Sequence, residues 1–492
     1  MTLDTQKLET QKPQKLVKNG EYFAYVAMVF LFMNMNGMTN KFRDFYLTSV
    51  LGLDPRSLSI IGVITTAVPI VLAFFFTMIV DRPPKPGKDK FRPIVLITAV
   101  PLAVTSILMF WVPQPLLGMT VMMMVVYQCL VHIIQRAAEF FAGTSRLMVM
   151  VMTPDMAEQR KIISVREIAG AIGNSGPFLV VFVMGLLIDG ETRVFMWSTV
   201  LCAVAAALMF IIGSRVVKER VPYAPPTGKE NPFIGFRDVV RNPSMRLMMY
   251  SEFLREFRGI ASHMGPFMAE LLLGSGTNFM IFGLPTGIGT LVGMLIVKQV
   301  MLKRFDARQT FLLNGGYSMV INALAFGAGV MAFRNEGVLV YQVIFVVFLF
   351  LIGLQYGATN ILPSVFHADI VEDIEVSTGK RFEASVGYAM GLSNNISRTI
   401  RAGVAPIILM RFIGYVQPID GVAQPQTPTT QLRMTGVFTL VQGLFILLGA
   451  LPMLFYKLTG EHRVRIHEQA VALRAELEKA REELEESPVS EP

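Results

Sequence analysis

The sequence predicts an all-α polytopic membrane protein with twelve transmembrane helices arranged as two six-helix halves. Three observations lead there. Residues of the AVILMFWYC set make up 53% of the 492, and charged residues only 16%, against roughly 25% in a soluble domain. A soluble chain of this size covers a large surface with charge, and this inventory is too small for that, so the solvent is largely lipid. Mean hydropathy is +0.51. Second, the apolar residues gather into twelve stretches, each close to or longer than the roughly 20 residues a helix needs to cross the hydrocarbon core. Third, lysines and arginines cluster between alternate stretches, which is a topology signal. The net charge of +8 is therefore no sign of a nucleic-acid partner, which requires basic residues on one exposed face. Cys129 and Cys202 lie inside apolar stretches, and their number and spacing exclude a disulfide framework or a zinc site.

Residues 1–20 are polar and carry Lys7, Lys12, Lys15 and Lys18, so no cleavable signal peptide is expected and the first span directs insertion. The spans read as 22–47, 57–80, 93–113, 117–150, 167–188, 194–214, 246–273, 277–301, 309–333, 338–362, 384–412 and 433–457. The fourth is too long for one untilted crossing and is expected to kink or project from the bilayer. The loop after span 2, DRPPKPGKDKFRP, holds five basic residues. The loop after span 6 carries Arg215, Lys218, Arg220, Lys229, Arg237 and Arg241, and that after span 8 carries Lys303, Arg304 and Arg308. The opposite loops are short and poor in lysine and arginine. Both termini are thus expected in the cytoplasm, in a plasma (inner) membrane.

Residues 1–20 form a cytoplasmic N-terminal segment, 21–214 the first half, 215–245 a central cytoplasmic loop with Pro222, Pro225 and Pro226, 246–458 the second half, and 459–492 a tail. The halves echo each other. After span 4 comes Asp155-Met-Ala-Glu158 with Arg160 and Arg166, and after span 10 comes Asp369-Ile-Val-Glu372 with Lys380, Arg381 and Glu383. Two six-span halves related by parallel repetition describe the major facilitator fold, which places a substrate site near the midplane between the halves.

Several motifs carry a more specific resemblance. Phe45-Tyr-Leu-Thr-Ser-Val-Leu-Gly-Leu53 is followed by Val80-Asp81 and then Gly87-Lys-Asp-Lys-Phe-Arg-Pro93. Thr153-Pro-Asp155 leads to Glu158, Arg160 and Arg166, and Ala368-Asp369-Ile-Val-Glu372 leads to Thr378-Gly-Lys-Arg381 and Glu383. In this order and spacing the sequence resembles the glycoside–pentoside–hexuronide cation symporters, the melibiose-permease-like family, as a divergent member. The resemblance implies a sodium site at Pro69 and Ala73, which supply none of the oxygen ligands a hard cation needs. It also places an acidic or amide position at Ala142, a lysine position at Asn395 and a sugar-binding aspartate near Met33. Sodium coupling and galactoside specificity are therefore not expected. The resemblance further implies that Arg166 borders the substrate cavity.

Charged residues inside spans are costly and mark functional candidates. In span 4, His132, Arg136, Glu139 and Arg146 share one helical stripe, with Gly143 on the same stripe. Arg136 and Glu139 can pair at i,i+3, while Arg146 has no such local partner. Span 7 carries Glu252, Glu256 and His263 on a second stripe beside Arg255 and Arg258. Glu139, Glu256 and Glu252 are candidates for coupling to a proton, because a carboxyl in a cavity of alternating wetness can titrate near neutrality. Span 1 is polar at one end (Asn34, Asn36, Asn40, Lys41, Arg43, Asp44), with a possible i,i+3 pair of Lys41 with Asp44. Span 11 has a band of Asn394, Asn395, Ser397, Arg398 and Arg401. The substrate-binding candidates are Arg136, Glu139, Arg146, Arg166, His263, Asn395 and Arg398. Asp81, Asp155, Glu158, Arg160, Asp369, Glu372 and Arg381 are expected to form a cytoplasmic gate whose ion pairs break as the halves rock.

The tail places Ile466, Ala470, Leu473, Leu477 and Leu484 at heptad-like spacing, which suggests an amphipathic helix, and its SPVSEP end reads as disordered. No nucleophile motif, phosphate loop or metal-ligand cluster is present, so neither an enzyme nor an ATP-driven pump is expected. The expected function is secondary active transport by alternating access. The cargo would be a small polar or anionic solute, such as a glycoside or hexuronide, with a proton as the candidate coupling ion. The expected partners are that solute and the bilayer, with a monomeric chain and no cofactor or metal. The alternatives are transport of an amphiphile, such as a lysolipid or organic anion, and a non-transporting membrane sensor on the same fold.

Overall fold

A computed structural model describes residues 16–80, 89–112, 120–153, 156–220, 232–335, 337–379, 383–418 and 424–486. The gate candidates Asp81, Asp155 and Arg381 lie outside them, as does the SPVSEP end, and the side chains of Arg160 and Ala73 are likewise not described. Among the described residues the secondary structure is entirely helical.

The helices are α1 (Asn19–Phe45), α2 (Pro55–Val80), α3 (Phe91–Phe110), α4 (Val121–Ala142), α5 (Met156–Leu187) and α6 (Glu191–Val216). Then follow α7 (Pro232–Arg241), α8 (Pro243–Glu256), α9 (Gly259–Leu273), α10 (Met280–Ile296), α11 (Ala307–Arg334), α12 (Leu339–Thr378), α13 (Glu383–Ile407), α14 (Pro428–Ala450) and α15 (Gly460–Glu486). Nine stretches among the described residues are long and apolar enough to cross a membrane. The expected spans outside those nine are α1 and α13, which are too polar, and the pair α8 and α9, which are too short singly. These helices carry most of the polar candidates, so the site residues themselves dilute the hydropathy signal.

Helix boundaries have local causes. Glu219 accepts hydrogen bonds from the backbone N–H groups of Lys90, Phe91 and Arg92 at 2.9, 2.8 and 2.8 Å, meeting the orphan donors at the start of α3. Asn242 caps α8 through Met245 N at 3.0 Å, with Pro243 next to it. Asp306 and Gln309 form a capping box at α11. The long fourth stretch is interrupted: α4 ends at Ala142, a 3₁₀ segment runs over Gly143–Met148, and a helical turn follows at Val149–Met152. Helix α12 has 40 residues, roughly 60 Å at 1.5 Å per residue, about twice the hydrocarbon thickness. Its second half therefore leaves the bilayer.

The contacts divide the chain into two compact units: residues 1–228, 265–284 and 402–427 form one, and 229–264, 285–401 and 428–492 the other. In the first unit, α1 packs closely on α5. A Cβ on Gly37 would lie 2.5 Å from the carbonyl oxygen of Asn174, and one on Gly173 2.3 Å from that of Phe30. Tyr25, Met28, Met35 and Phe210 are buried in its core. In the second unit, two small-xxx-small pairs face each other. Gly289 and Gly293 on α10 meet Gly353 and Gly357 on α12, and a Cβ on Gly357 would lie 2.1 Å from the backbone of Gly293. Between lipid-soluble helices such backbone approach supplies the packing that the hydrophobic effect cannot. The tail helix α15 belongs to this unit, with Ala470 buried and Ile466 packed against its core.

Candidate substrate-binding site

In the first unit the polar end of α1 meets α2 and α4. Arg43 holds Asp44 with Nε at 2.8 Å and Nη2 at 2.6 Å, and its Nη1 lies 3.0 Å from His132 Nε2. A guanidinium can only donate, so Nε2 accepts and the imidazole proton sits on Nδ1. His132 is 2% exposed, which makes it a support for Arg43 and leaves little of it to meet a solute. Asp44 is thus taken by its neighbour Arg43, and Lys41, expected to pair with it, lies 4.0 Å from the centroid of Phe178. The expected i,i+3 pair is present: Arg136 Nη1 bonds Glu139 at 2.7 Å, and Nη2 reaches Asn40 Oδ1 at 3.2 Å.

Arg146 sits apart from this group, on the 3₁₀ segment. It bonds Glu167 of α5 at 2.9 Å, and Arg166 shares the same carboxylate. Arg166 also donates to the carbonyl of Arg146 at 2.7 Å, and Tyr25 OH to the same oxygen at 3.2 Å. Arg146 and Arg166 are therefore brought together by Glu167, a residue that sequence spacing did not single out. Its only sequence signal was a carboxylate next to Arg166.

The expected span 7 is two helices, α8 and α9, and the break between them lies in the second unit. At the break the N–H groups of Phe257, Arg258, Ile260 and Ala261 bond carbonyls three residues back. Ile260 N turns to Phe257, so the carbonyl of Glu256 loses its helical partner, and Arg401 Nη1 donates to it at 2.9 Å. Gly259 makes room, since a Cβ there would lie 1.9 Å from Arg401 Nη1. The Glu256 carboxylate accepts from Arg398 Nε and Arg401 Nη1, both at 2.9 Å. Arg258 lies 5.0 Å from the Tyr356 ring centroid, and Tyr356 OH donates to Gln442 at 2.5 Å. The Nε of Arg258 meets no acceptor among the described residues. The result is three guanidiniums around one carboxylate, with Arg398 about half exposed at 51%. Asn395 lies one turn before Thr399, whose hydroxyl donates to its carbonyl at 3.0 Å. His263 is partly buried on α9. Glu252 belongs to a different arrangement, a buried pair with Arg255, whose Nη1 donates to the Thr359 carbonyl at 2.7 Å.

The described gate candidates are also placed. Glu158 accepts from Val17 N at 3.1 Å. Asp369 is bonded by Arg463 at 2.8 Å, and Glu372 lies 3.0 Å from His467 Nδ1. Both of these partners come from the tail helix. No group of histidines, cysteines or carboxylates that could hold a metal occurs among the described residues.

The long apolar helices, with charged clusters on the more polar ones, fit the major facilitator fold, and solved structures of that fold agree. The chain is similar to a variant of the nucleoside transporter NupG, with 14% identity, 89% of this chain and 100% of that chain covered, and a TM-score of 0.62. It is also similar to a bacterial homologue of the human lysosomal transporter Spinster in an inward-facing, unoccupied conformation, with 13% identity, coverage of 89% and 95%, and a TM-score of 0.58. A third similar structure is of a proton-dependent oligopeptide transporter, with 12% identity, coverage of 94% and 100%, and a TM-score of 0.57. At such identities the likeness shows the fold. The chain belongs to the MFS/sugar transport protein family, whose description matches residues 23–460. Among curated proteins none matches in sequence.

Proposed function

We propose that this protein is a secondary active transporter that carries a small anionic polar solute, of the hexuronide or glycoside-acid kind, by alternating access. The observation that carries the reading is the cluster of Arg258, Arg398 and Arg401 around the single carboxylate Glu256. Two positive charges remain uncompensated by it, and a planar guanidinium fork suits a carboxylate. The basic loops support both termini on the cytoplasmic face of the plasma membrane. Pro69 and Ala73 offer no ligands to sodium, which leaves a proton as the coupling ion.

Thermal unfolding of the purified protein against matched pairs, such as glucuronate with glucose, tests the cargo. A ligand of the folded state raises its stability, and the acid should do so where the neutral sugar does not. Uptake of that acid into proteoliposomes should proceed without sodium, and strict sodium dependence would overturn the coupling assignment.

A further inference from the structure

The carboxylates Glu139, Glu252 and Glu256 each hold an arginine. Glu270, near the end of α9, differs: among the described residues no ion pair reaches it. Its carboxylate accepts from Tyr415 OH at 2.5 Å, and that hydroxyl lies 3.0 Å from Ser49 Oγ. These three residues come from three distant segments of the first unit: the π-helical turn after α1, the end of α9, and the stretch after α13.

The surroundings are dry. Phe45 and Phe267 are each 1% exposed and Tyr415 5%. Phe267 stands 5.2 Å from Phe45 and 5.2 Å from Tyr415, centroid to centroid. Gly276 admits the Phe45 ring, which a Cβ would meet at 2.3 Å. Gln417 fastens the same junction by donating to the carbonyls of Thr48 and Leu53 at 3.1 and 2.8 Å. The titratable groups facing Glu270 are Tyr415 and Glu191, the latter at the start of α6, where it accepts from Ser275 Oγ at 3.0 Å. Burial and then the neighbouring Glu270 push the Tyr415 phenol up, so it remains a hydroxyl. A second carboxylate nearby, and no cation facing it among the described residues, make an ionised Glu270 costly in this junction.

We propose that Glu270 is a proton-binding site of the transport cycle, protonated while the Ser49–Glu270–Tyr415 junction is closed and ionised when the junction opens. The hydroxyl chain serves both forms. An ionised Glu270 accepts from Tyr415, whereas a protonated one donates to Tyr415, which then donates to Ser49. The proton is taken up as the junction closes and released to water when the halves of the cycle exchange. In the proposed orientation this junction lies at the outer end of the helices, so the inference rests on the transport reading and adds to it the group that binds the proton.

The test uses the full chain in nanodiscs with Cys129 and Cys202 replaced by serine and a Leu53→Cys reporter, since Leu53 is 5% exposed beside Gln417. Maleimide labelling rates are normalised to the unfolded protein at each pH. One linked proton should raise the rate about tenfold between about pH 5.5 and about pH 7.5. Glu270→Gln, which stays neutral, should label slowly at both. Tyr415→Phe should extend the acceleration to higher pH, because the carboxylate loses its donor in the closed form. Glu191→Gln should leave a pH dependence in place. A pH-independent rate in the parent, or the parental pH dependence retained in Glu270→Gln, overturns the proposal. The readout needs no solute, so it separates the two claims. Uptake of glucuronate with pH-independent labelling removes the proton site and leaves transport. Glu270-dependent labelling without uptake of any acid removes the transport reading and leaves the site.

Discussion

The two units solve the problem of intramembrane charge differently. At the polar end of α1 in the first, Arg43 is matched by Asp44 and Arg136 by Glu139, and Lys41 lies against an aromatic face, while Arg146 and Arg166 share Glu167 apart from this group. In the second, Arg398 and Arg401 share Glu256, and Arg258 lies over the Tyr356 ring. A balanced cluster holds its geometry whether or not a solute is bound. An unbalanced one carries repulsion that an anion relieves, so binding energy concentrates there. The contrast argues that an anion is bound at the cluster of the second unit.

The sharpest way to break this comparison is to remove the shared carboxylate. Glu256→Gln leaves Arg401, 16% exposed, with an uncompensated charge, at a cost of about 3 kcal/mol. It should appear as a marked fall in the thermal unfolding midpoint. Glu139→Gln should cost about 1 kcal/mol, because Arg136 is 29% exposed and keeps Asn40. Equal losses would show that the two clusters are not different in kind.

Next in size is ligand binding. Arg258→Ala should weaken binding of glucuronate about tenfold or more, as expected for one charge-assisted hydrogen bond, measured by titration of the thermal shift. Arg136→Ala should change the affinity only about threefold, since its charge is already spent on Glu139. A reversal of that order would move the anion to the first unit. The smallest effect should come from the tail. His467→Ala removes a contact in which the histidine is 60% exposed and Glu372 22%, and should cost less than about 1 kcal/mol in the same unfolding assay. A larger loss would mean that α15 is an integral part of the second unit's packing.

The sequence made some of this legible and hid the rest for physical reasons. The Arg136–Glu139 pair could be read because i,i+3 spacing on one helix fixes the two side chains together. The same rule suggested Lys41 with Asp44 and was overridden by the adjacent Arg43, whose fork reaches the carboxylate through two nitrogens. Arg146 was rightly seen to lack a local partner, but Glu167 is 21 residues away on another helix, beyond any periodicity. The break between α8 and α9 was hidden because the whole stretch 246–273 has the length of one span. It is Gly259 and the guanidinium of Arg401 that make use of it. The tail's partners, Asp369 and Glu372, were noticed as a gate motif and not as a dock for α15.

By itself the sequence determined the solvent, the helical class and the candidate residues, because hydropathy, loop charge and helical period are local properties that any fold of this chain must respect. Only the tertiary structure decided which charges neutralise each other, because partners such as Glu256 with Arg398 and Arg401, or Ser49 with Tyr415 and Glu270, are separated by more than a hundred residues. Spacing along a helix predicts neighbours within about one turn. Which carboxylate keeps a cation and which is left with hydroxyls depends on how the helices pack.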